Sequence, residues 1–124
     1  MIDVLLVDDS MFMRNILKAS LPKKGYRVTG EASSGLQAIE LCKNNKYDVI
    51  FLDITMPDIN GIETLKEIRK LDNNVSVIMC SAMGQESFIH DSILAGAKDF
   101  IIKPFSSERI KISLDKIFSH KDII

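Results

Sequence analysis

Three carboxylates, a hydroxyl and an ammonium each follow a short apolar run in this sequence. Asp8 and Asp9 come after Val4–Val7, Asp53 after Val49–Leu52, Ser81 after Val75–Met79 and Lys103 after Phe100–Ile102. If those runs are neighbouring strands pointing one way, the five side chains meet at one end of a sheet. Two like charges 4 Å apart at an effective dielectric near 20 cost about 4 kcal/mol, so such a cluster keeps a proton or takes up a cation. Hard oxygen ligands with room for water suit Mg²⁺, with Mn²⁺ as a substitute, and the sequence has no Cys/His cluster to favour zinc. With the cation on Asp9 and Asp53, and Asp8 acting directly or through water, a free oxygen of Asp53 can attack phosphorus. Carboxylates that form acyl phosphates are an established class of nucleophile. Lys103 is a compact cation able to meet a phosphate oxygen, and the Ser81 hydroxyl can donate to another. The bland alternative is that each Asp merely caps a turn, the usual role of a lone Asp after a strand. Complementary groups at several strand ends favour a shared site.

The elements that must position these residues are legible as a pattern. A fifth β-branched run, Arg27–Glu31, joins the four above. The first, third and fourth runs are nearly continuous in hydrophobicity, as strands covered on both faces are. Longer segments between them have helical spacing. Ile62, Leu65, Ile68 and Leu71 recur on one face with Lys66, Glu67 and Lys70 opposite. Ile110, Leu114, Ile117 and Phe118 do the same near the end, and Ser34 with Gln37 suggests a capping box. Alternating strands and helices imply a parallel α/β sheet with right-handed crossovers. In such sheets, sites form beyond the carboxyl ends of the strands. Glu31 and Ala32 end the second run and are placed at the sheet edge, away from the cluster.

Composition narrows the function classes. The chain has 124 residues, 46% hydrophobic and 27% charged, with a formal net charge of -1. One domain spanning residues 1–124 is expected, with no linker or repeat. No basic face offers itself to nucleic acid. No stretch reaches the length of a membrane span, and the first apolar run is too short and too acidic for a signal peptide. A cytoplasmic monomer is expected, with Cys42 and Cys80 as reduced thiols. His90 and His120 are assigned to a helix surface and the tail, without partners. The Lys103–Pro104 bond is open to either isomer.

The ordered set Val7-Asp8-Asp9-Ser10, Asp53-Ile54-Thr55-Met56-Pro57 with Gly61, Cys80-Ser81-Ala82 and Gly96–Phe105 resembles the receiver domain of two-component response regulators. The resemblance covers essentially the whole chain and leans toward the stand-alone chemotaxis members of the family. It implies a flavodoxin-like three-layer sandwich whose five-stranded parallel sheet has order 2-1-3-4-5, a family property and not one read from these residues. It implies a phosphorylation-activated switch, not an enzyme acting on other substrates. A CheA-like sensor histidine kinase would donate phosphoryl to Asp53, with Mg²⁺ supported by Asp8, Asp9, Asp53 and the backbone carbonyl of Thr55. Ser81 and Lys103 would contact the phosphoryl group, and Lys103–Pro104 would be cis. A FliM-like flagellar motor switch protein would be the target, and a dedicated phosphatase could end the signal.

Three positions depart from the enteric pattern of that family: Ser81 stands for the commoner Thr, Phe100 for Tyr, and Met83 lies two residues after Ser81. Ser81 and Phe100 are expected to carry the switch, with the moving face on the fourth helix, fifth strand and fifth helix. Thr55 and Met83 are expected to set the phosphoryl lifetime through access of water. Two rival classes remain. A phosphohydrolase would want an acid/base carboxylate where Thr55 stands. A flavodoxin-like nucleotide binder would want a phosphate loop where Asp8-Asp9 would repel phosphate.

Overall fold

A computed structural model describes residues 1–118. Five strands, β1 (Ile2–Val7), β2 (Tyr26–Ala32), β3 (Val49–Asp53), β4 (Ser76–Ser81) and β5 (Asp99–Ile102), alternate with five helices: α1 (Met11–Ser20), α2 (Gly35–Asn44), α3 (Gly61–Leu71), α4 (Phe88–Leu94) and α5 (Ser107–Ile117). All neighbouring strands pair in parallel, in the order β2-β1-β3-β4-β5. That is the order implied by the resemblance. Strand β1 reverses the direction of winding, so the ends of β1 and β3 flank the crevice where an open α/β sheet binds its ligands. Among the described residues no helix is long and apolar enough to cross a membrane.

Successive side chains of a strand point to opposite faces, and the central strands use both for burial. Leu5, Val7, Ile50, Leu52, Val77, Met79 and Phe100 pack with Ala38 of α2 and with Leu65 and Ile68 of α3, where Ile89 and Ala95 also contribute. Val4, Leu6, Val49, Phe51, Ile78 and Ile101 pack instead with Leu17 of α1 and with Ile110 and Leu114 of α5. The near-continuous apolar runs are the record of this double coverage.

Several boundaries differ from the sequence reading. Asp53 and Ser81 are the last residues of their strands, not residues beyond them. Each is paired, Asp53 with Cys80 and Ser81 with Ile102, so the ladder fixes the backbone that carries them. Strand β4 begins at Ser76, leaving Val75 outside it although buried. Leu71, expected on the inner face of α3, is exposed because the helix ends there, with Asp72 as its C-cap. The capping box of α2 forms in part. Ser34 Oγ accepts from Gln37 N as expected, but the Gln37 carbonyl reaches back to Ser33 N at 2.7 Å, one residue beyond the cap. Phe118 caps α5 and meets Tyr26 edge-on, ring centroids 6.3 Å apart. His120 lies outside the described residues, and His90 is exposed on α4.

Side-chain caps seat most helix starts. Ser10, Ser34, Asn60 and Ser106 each accept from the backbone N–H three residues on, a bond worth about 1 kcal/mol. Helix α4 differs: it is short, and Ser87 makes no side-chain cap bond. The start of α3 is pressed hardest against the sheet. Gly61 N donates to Ile54 O at 2.6 Å, and a Cβ on Gly61 would stand 2.3 Å from Asp53 O and 2.7 Å from Ile54 Cα. Both atoms are backbone and cannot swing aside. Gly61→Ala should therefore lower the urea midpoint, by about 1–3 kcal/mol of stability in the usual range for overpacking. An unchanged midpoint would mean that α3 is not seated on the Asp53 carbonyl.

Candidate functional site

Four strand ends deliver the site. Asp8 and Asp9 leave β1, Asp53 closes β3, Ser81 closes β4 and Lys103 leaves β5, with Lys103 N donating to Ser81 O at 2.7 Å. The Lys103–Pro104 bond is cis, the isomer implied by the resemblance. Asp8 and Asp53 are buried and Asp9 is exposed, yet one carboxylate oxygen from each lies within 4.8 Å of the others. Lys103 Nζ stands 2.8 Å from Asp8 Oδ2 and 3.3 Å from Asp53 Oδ2. The predicted convergence of acids and ammonium is therefore present.

Each side chain is held from behind. Asp8 Oδ1 accepts from Ser10 N at 2.9 Å, which leaves Oδ2 to Lys103. Arg14 on α1 donates to Asp8 O and, through Nε, to Glu31 Oε1 at 2.9 Å. Lys18 also pairs with Glu31. Glu31 is on the edge strand as expected, but it reaches the site through Arg14. The guanidinium fixes the Asp8 backbone while Glu31 and Lys18 fix the guanidinium.

Electrostatics follow from this packing. Burial pushes the Asp53 carboxyl above its ordinary range; Lys103 pulls it down, Asp8 pushes it up again, and the rise prevails. Burial works against the Lys103 ammonium, but its hydrogen bond to Asp8 and the charge of Asp53 outweigh this and raise its pKa. A carboxylate with a raised pKa beside a second buried acid and an exposed third acid is short of positive charge. An all-oxygen donor set of this kind fits a hard divalent cation such as Mg²⁺, with Asp8, Asp9 and Asp53 as the holders.

Ser81 supplies a second sign of an incomplete site. Its side chain is fully buried, and Oγ has no hydrogen-bond partner among the described residues. Leaving a buried hydroxyl unpaired costs about 1–3 kcal/mol. A group with several acceptor oxygens on Asp53, one pairing away along the β3–β4 ladder, would meet that donor. Phe100, on β5, is buried in the core layer that also takes in Ala97, Ile89 and Ala95. Thr55 and Met83 sit on the two loops above the strand ends, both exposed.

Residues missed in the sequence do much of the holding. Gln85 accepts from Ala82 N at 2.9 Å and donates to Thr55 Oγ1 at 2.5 Å, tying the β4–α4 loop to the β3–α3 loop. Asp58 accepts from Gly35 N and Leu36 N at the start of α2. Asp99 gathers Ser113, Arg109 and Lys116 of α5 behind Phe100. Apart from the local Ala82–Gln85 bond, none of these pairings has a spacing signal, because each joins separate loops or elements. The Ser-to-Gln interval at Ser34 was the kind of local pattern that could be read.

Known proteins share this sequence pattern and this fold. The response regulator receiver domain family matches residues 4–115. Chemotaxis protein CheY from Thermotoga maritima is 51% identical over 114 residues, covering 92% of this chain and 95% of that protein. Its counterpart from Bacillus subtilis is 49% identical, covering 91% and 94%. Among solved structures, the Borrelia burgdorferi CheX–CheY–BeF₃–Mg²⁺ complex matches with a TM-score of 0.88 at 36% identity, covering 94% of this chain and 89% of that one. The receiver domain of a Pseudomonas aeruginosa sensor histidine kinase, solved with magnesium in its active-site cleft, matches with a TM-score of 0.81 at 29% identity, covering 94% and 96%.

The raised pKa of Asp53 has a measurable sign. The folded chain holds this proton to higher pH than the unfolded one, so the stability contribution of Asp53 falls as pH rises from the ordinary carboxylate range through its raised value. At neutral pH without divalent cations, Asp53→Asn should raise Tm by a few degrees. The gain should shrink in acid, and Mg²⁺ should stabilise the wild type more than the variant. A variant melting below the wild type at pH 7 would show that the Asp53 charge supports the fold.

Proposed function

This chain belongs to the response regulator receiver-domain family, and from that premise we propose that Asp53 accepts a phosphoryl group from the phosphohistidine of a CheA-like sensor kinase. The protein is a phosphorylation-dependent signalling switch of the CheY kind, acting in chemotaxis. The observation that carries the acceptor assignment is the placement of Asp53. It is a buried carboxylate 3.3 Å from an ammonium and within 4.8 Å of two further acids.

In the transfer, an Asp53 carboxylate oxygen bonds to phosphorus as the bond from phosphorus to the donor imidazole breaks, and the imidazole leaves with the electron pair. Lys103 places its positive charge beside the transferring oxygens, and Ser81 turns its unpaired hydroxyl toward one of them. Asp8 holds Lys103 in place. Asp8, Asp9, Asp53 and the Thr55 carbonyl would hold Mg²⁺, which would supply charge neutralisation for the phosphoryl oxygens; Mn²⁺ has the oxygen affinity to substitute.

The switch follows from charge. Phosphorylation replaces the single charge of the Asp53 carboxylate with a phosphoryl group carrying nearly two and three acceptor oxygens, and a hydrogen bond to a charged group is worth about 1.5–3 kcal/mol. Inverting a population from 1:99 to 99:1 takes about 5.5 kcal/mol. Bonds from Ser81 and Lys103 approach that figure, and a target preferring the active form supplies the remainder, while reciprocally favouring phosphorylation. Movement of Ser81 toward the phosphoryl group vacates space beside β5 and lets Phe100 respond, which carries the signal to α4, β5 and α5. A FliM-like motor switch protein in the cytoplasm is the target we assign, with a dedicated phosphatase to shorten the signal. The domain spans residues 1–124, works as a monomer and turns over only its own phosphoryl group. Thr55 and Met83, exposed at the mouth, govern access of the hydrolytic water.

Incubation with acetyl phosphate and Mg²⁺ should add the mass of one phosphoryl group to the wild type and nothing to Asp53→Asn. Equal labelling of both proteins would remove Asp53 from its role. Labelled in the same way, Met83→Glu should lose its phosphoryl group faster than the wild type by giving water a polar handle; an unchanged decay would clear Met83 of influence.

A further inference from the structure

The β4–α4 loop is closed by one side chain. Gly84, at φ +92° with no atom near its Cβ position, turns the chain back so that Gln85 N meets Ala82 O at 3.3 Å. The Gln85 carboxamide then faces the site mouth. Its oxygen accepts from Ala82 N at 2.9 Å, and its nitrogen donates to Thr55 Oγ1 at 2.5 Å. Ala82 N–H is the first backbone donor beyond the end of β4, next to the unpaired Ser81 hydroxyl. It is therefore a donor that a phosphoryl group on Asp53 could use, and it is already engaged. Meanwhile α4 begins without a side-chain cap, and the Gln85 bonds tie the loop before it to Ala82 and Thr55.

We propose that Gln85 is a positioning residue that clasps the unphosphorylated loop by competing with the phosphoryl group for Ala82 N–H. This deepens the switch reading above and rests on it. A carboxamide oxygen is a neutral acceptor, whereas a phosphoryl oxygen is anionic and forms the stronger bond. Phosphorylation takes Ala82 N–H, the carboxamide lets go, and its nitrogen releases Thr55. Both loops at the mouth are then freed together with the start of α4. The clasp makes the resting state more populated and tunes how much phosphorylation is needed to leave it.

Beryllofluoride with Mg²⁺ is a suitable probe, because it presents acceptor atoms on a carboxylate without a transfer step. Its affinity is to be measured for wild type, Gln85→Met and Gln85→Glu. Met keeps the volume and removes the acceptor, so binding should tighten between about twofold and tenfold, the range for one neutral hydrogen bond. Glu keeps the acceptor and adds a repelling charge, so binding should weaken. A merely structural role would move both variants in the same direction. In the free protein, the Ala82 amide proton should shift upfield in Gln85→Met; with beryllofluoride bound, that resonance should coincide in Gln85→Met and wild type. Equal affinities in all three proteins, both variants shifting in one direction, or an unmoved Ala82 resonance would overturn the clasp. Failure of the wild type to bind beryllofluoride at all would instead overturn the acceptor reading on which the clasp rests.

Discussion

The ammonium of Lys103 between the carboxylates of Asp8 and Asp53 is the interaction that organises this molecule. It joins β5 to β1 and β3 across the crevice. A buried ion pair is an inefficient way to stabilise a fold, since desolvation offsets most of the Coulombic gain. The arrangement is better understood as a site held in readiness. Negative charge exceeds positive at the strand ends, burial pushes the Asp53 carboxyl above its ordinary range, and the buried Ser81 hydroxyl at the end of the adjoining strand has no partner among the described residues. Each of these tensions would be relieved by the pair of ligands proposed for the site, a divalent cation and an anionic phosphoryl group.

The rest of the fold keeps these charges from escaping one another. Two apolar layers bury the central strands on both faces, so their ends cannot shift without opening one core or the other. Gly61 brings α3 down onto the Asp53 carbonyl, and Arg14 with Glu31 pins the backbone of Asp8. The exception is the entry to α4, where a Gln85 clasp stands in place of a helix cap. Rigidity on the β1 and β3 side, with a releasable tie on the β4 side, gives the signal a direction.

The sequence made the fold and the primary site residues legible because both have local signatures. Short apolar runs rich in β-branched residues marked the strands, and an acid, hydroxyl or ammonium after four of them marked the site. The family resemblance contributed the sheet order and the cis bond, neither of which spacing could supply. What stayed hidden were ties between distant segments: Gln85 with Thr55, Arg14 with Glu31, Asp99 with Ser113. Such pairings depend on three-dimensional placement and leave no periodic trace. Leu71 misled for the opposite reason, since its helical spacing was correct but the helix ended before the core could cover it.

The account turns on Lys103 and Ser81 meeting the same group on Asp53. A crystal structure of the protein with beryllofluoride and Mg²⁺ tests that directly. The adduct should sit on Asp53, with fluorine atoms within hydrogen-bond distance of both Lys103 Nζ and Ser81 Oγ. An adduct on another residue, or a Ser81 hydroxyl that stays turned from it while Lys103 faces solvent, would contradict the account.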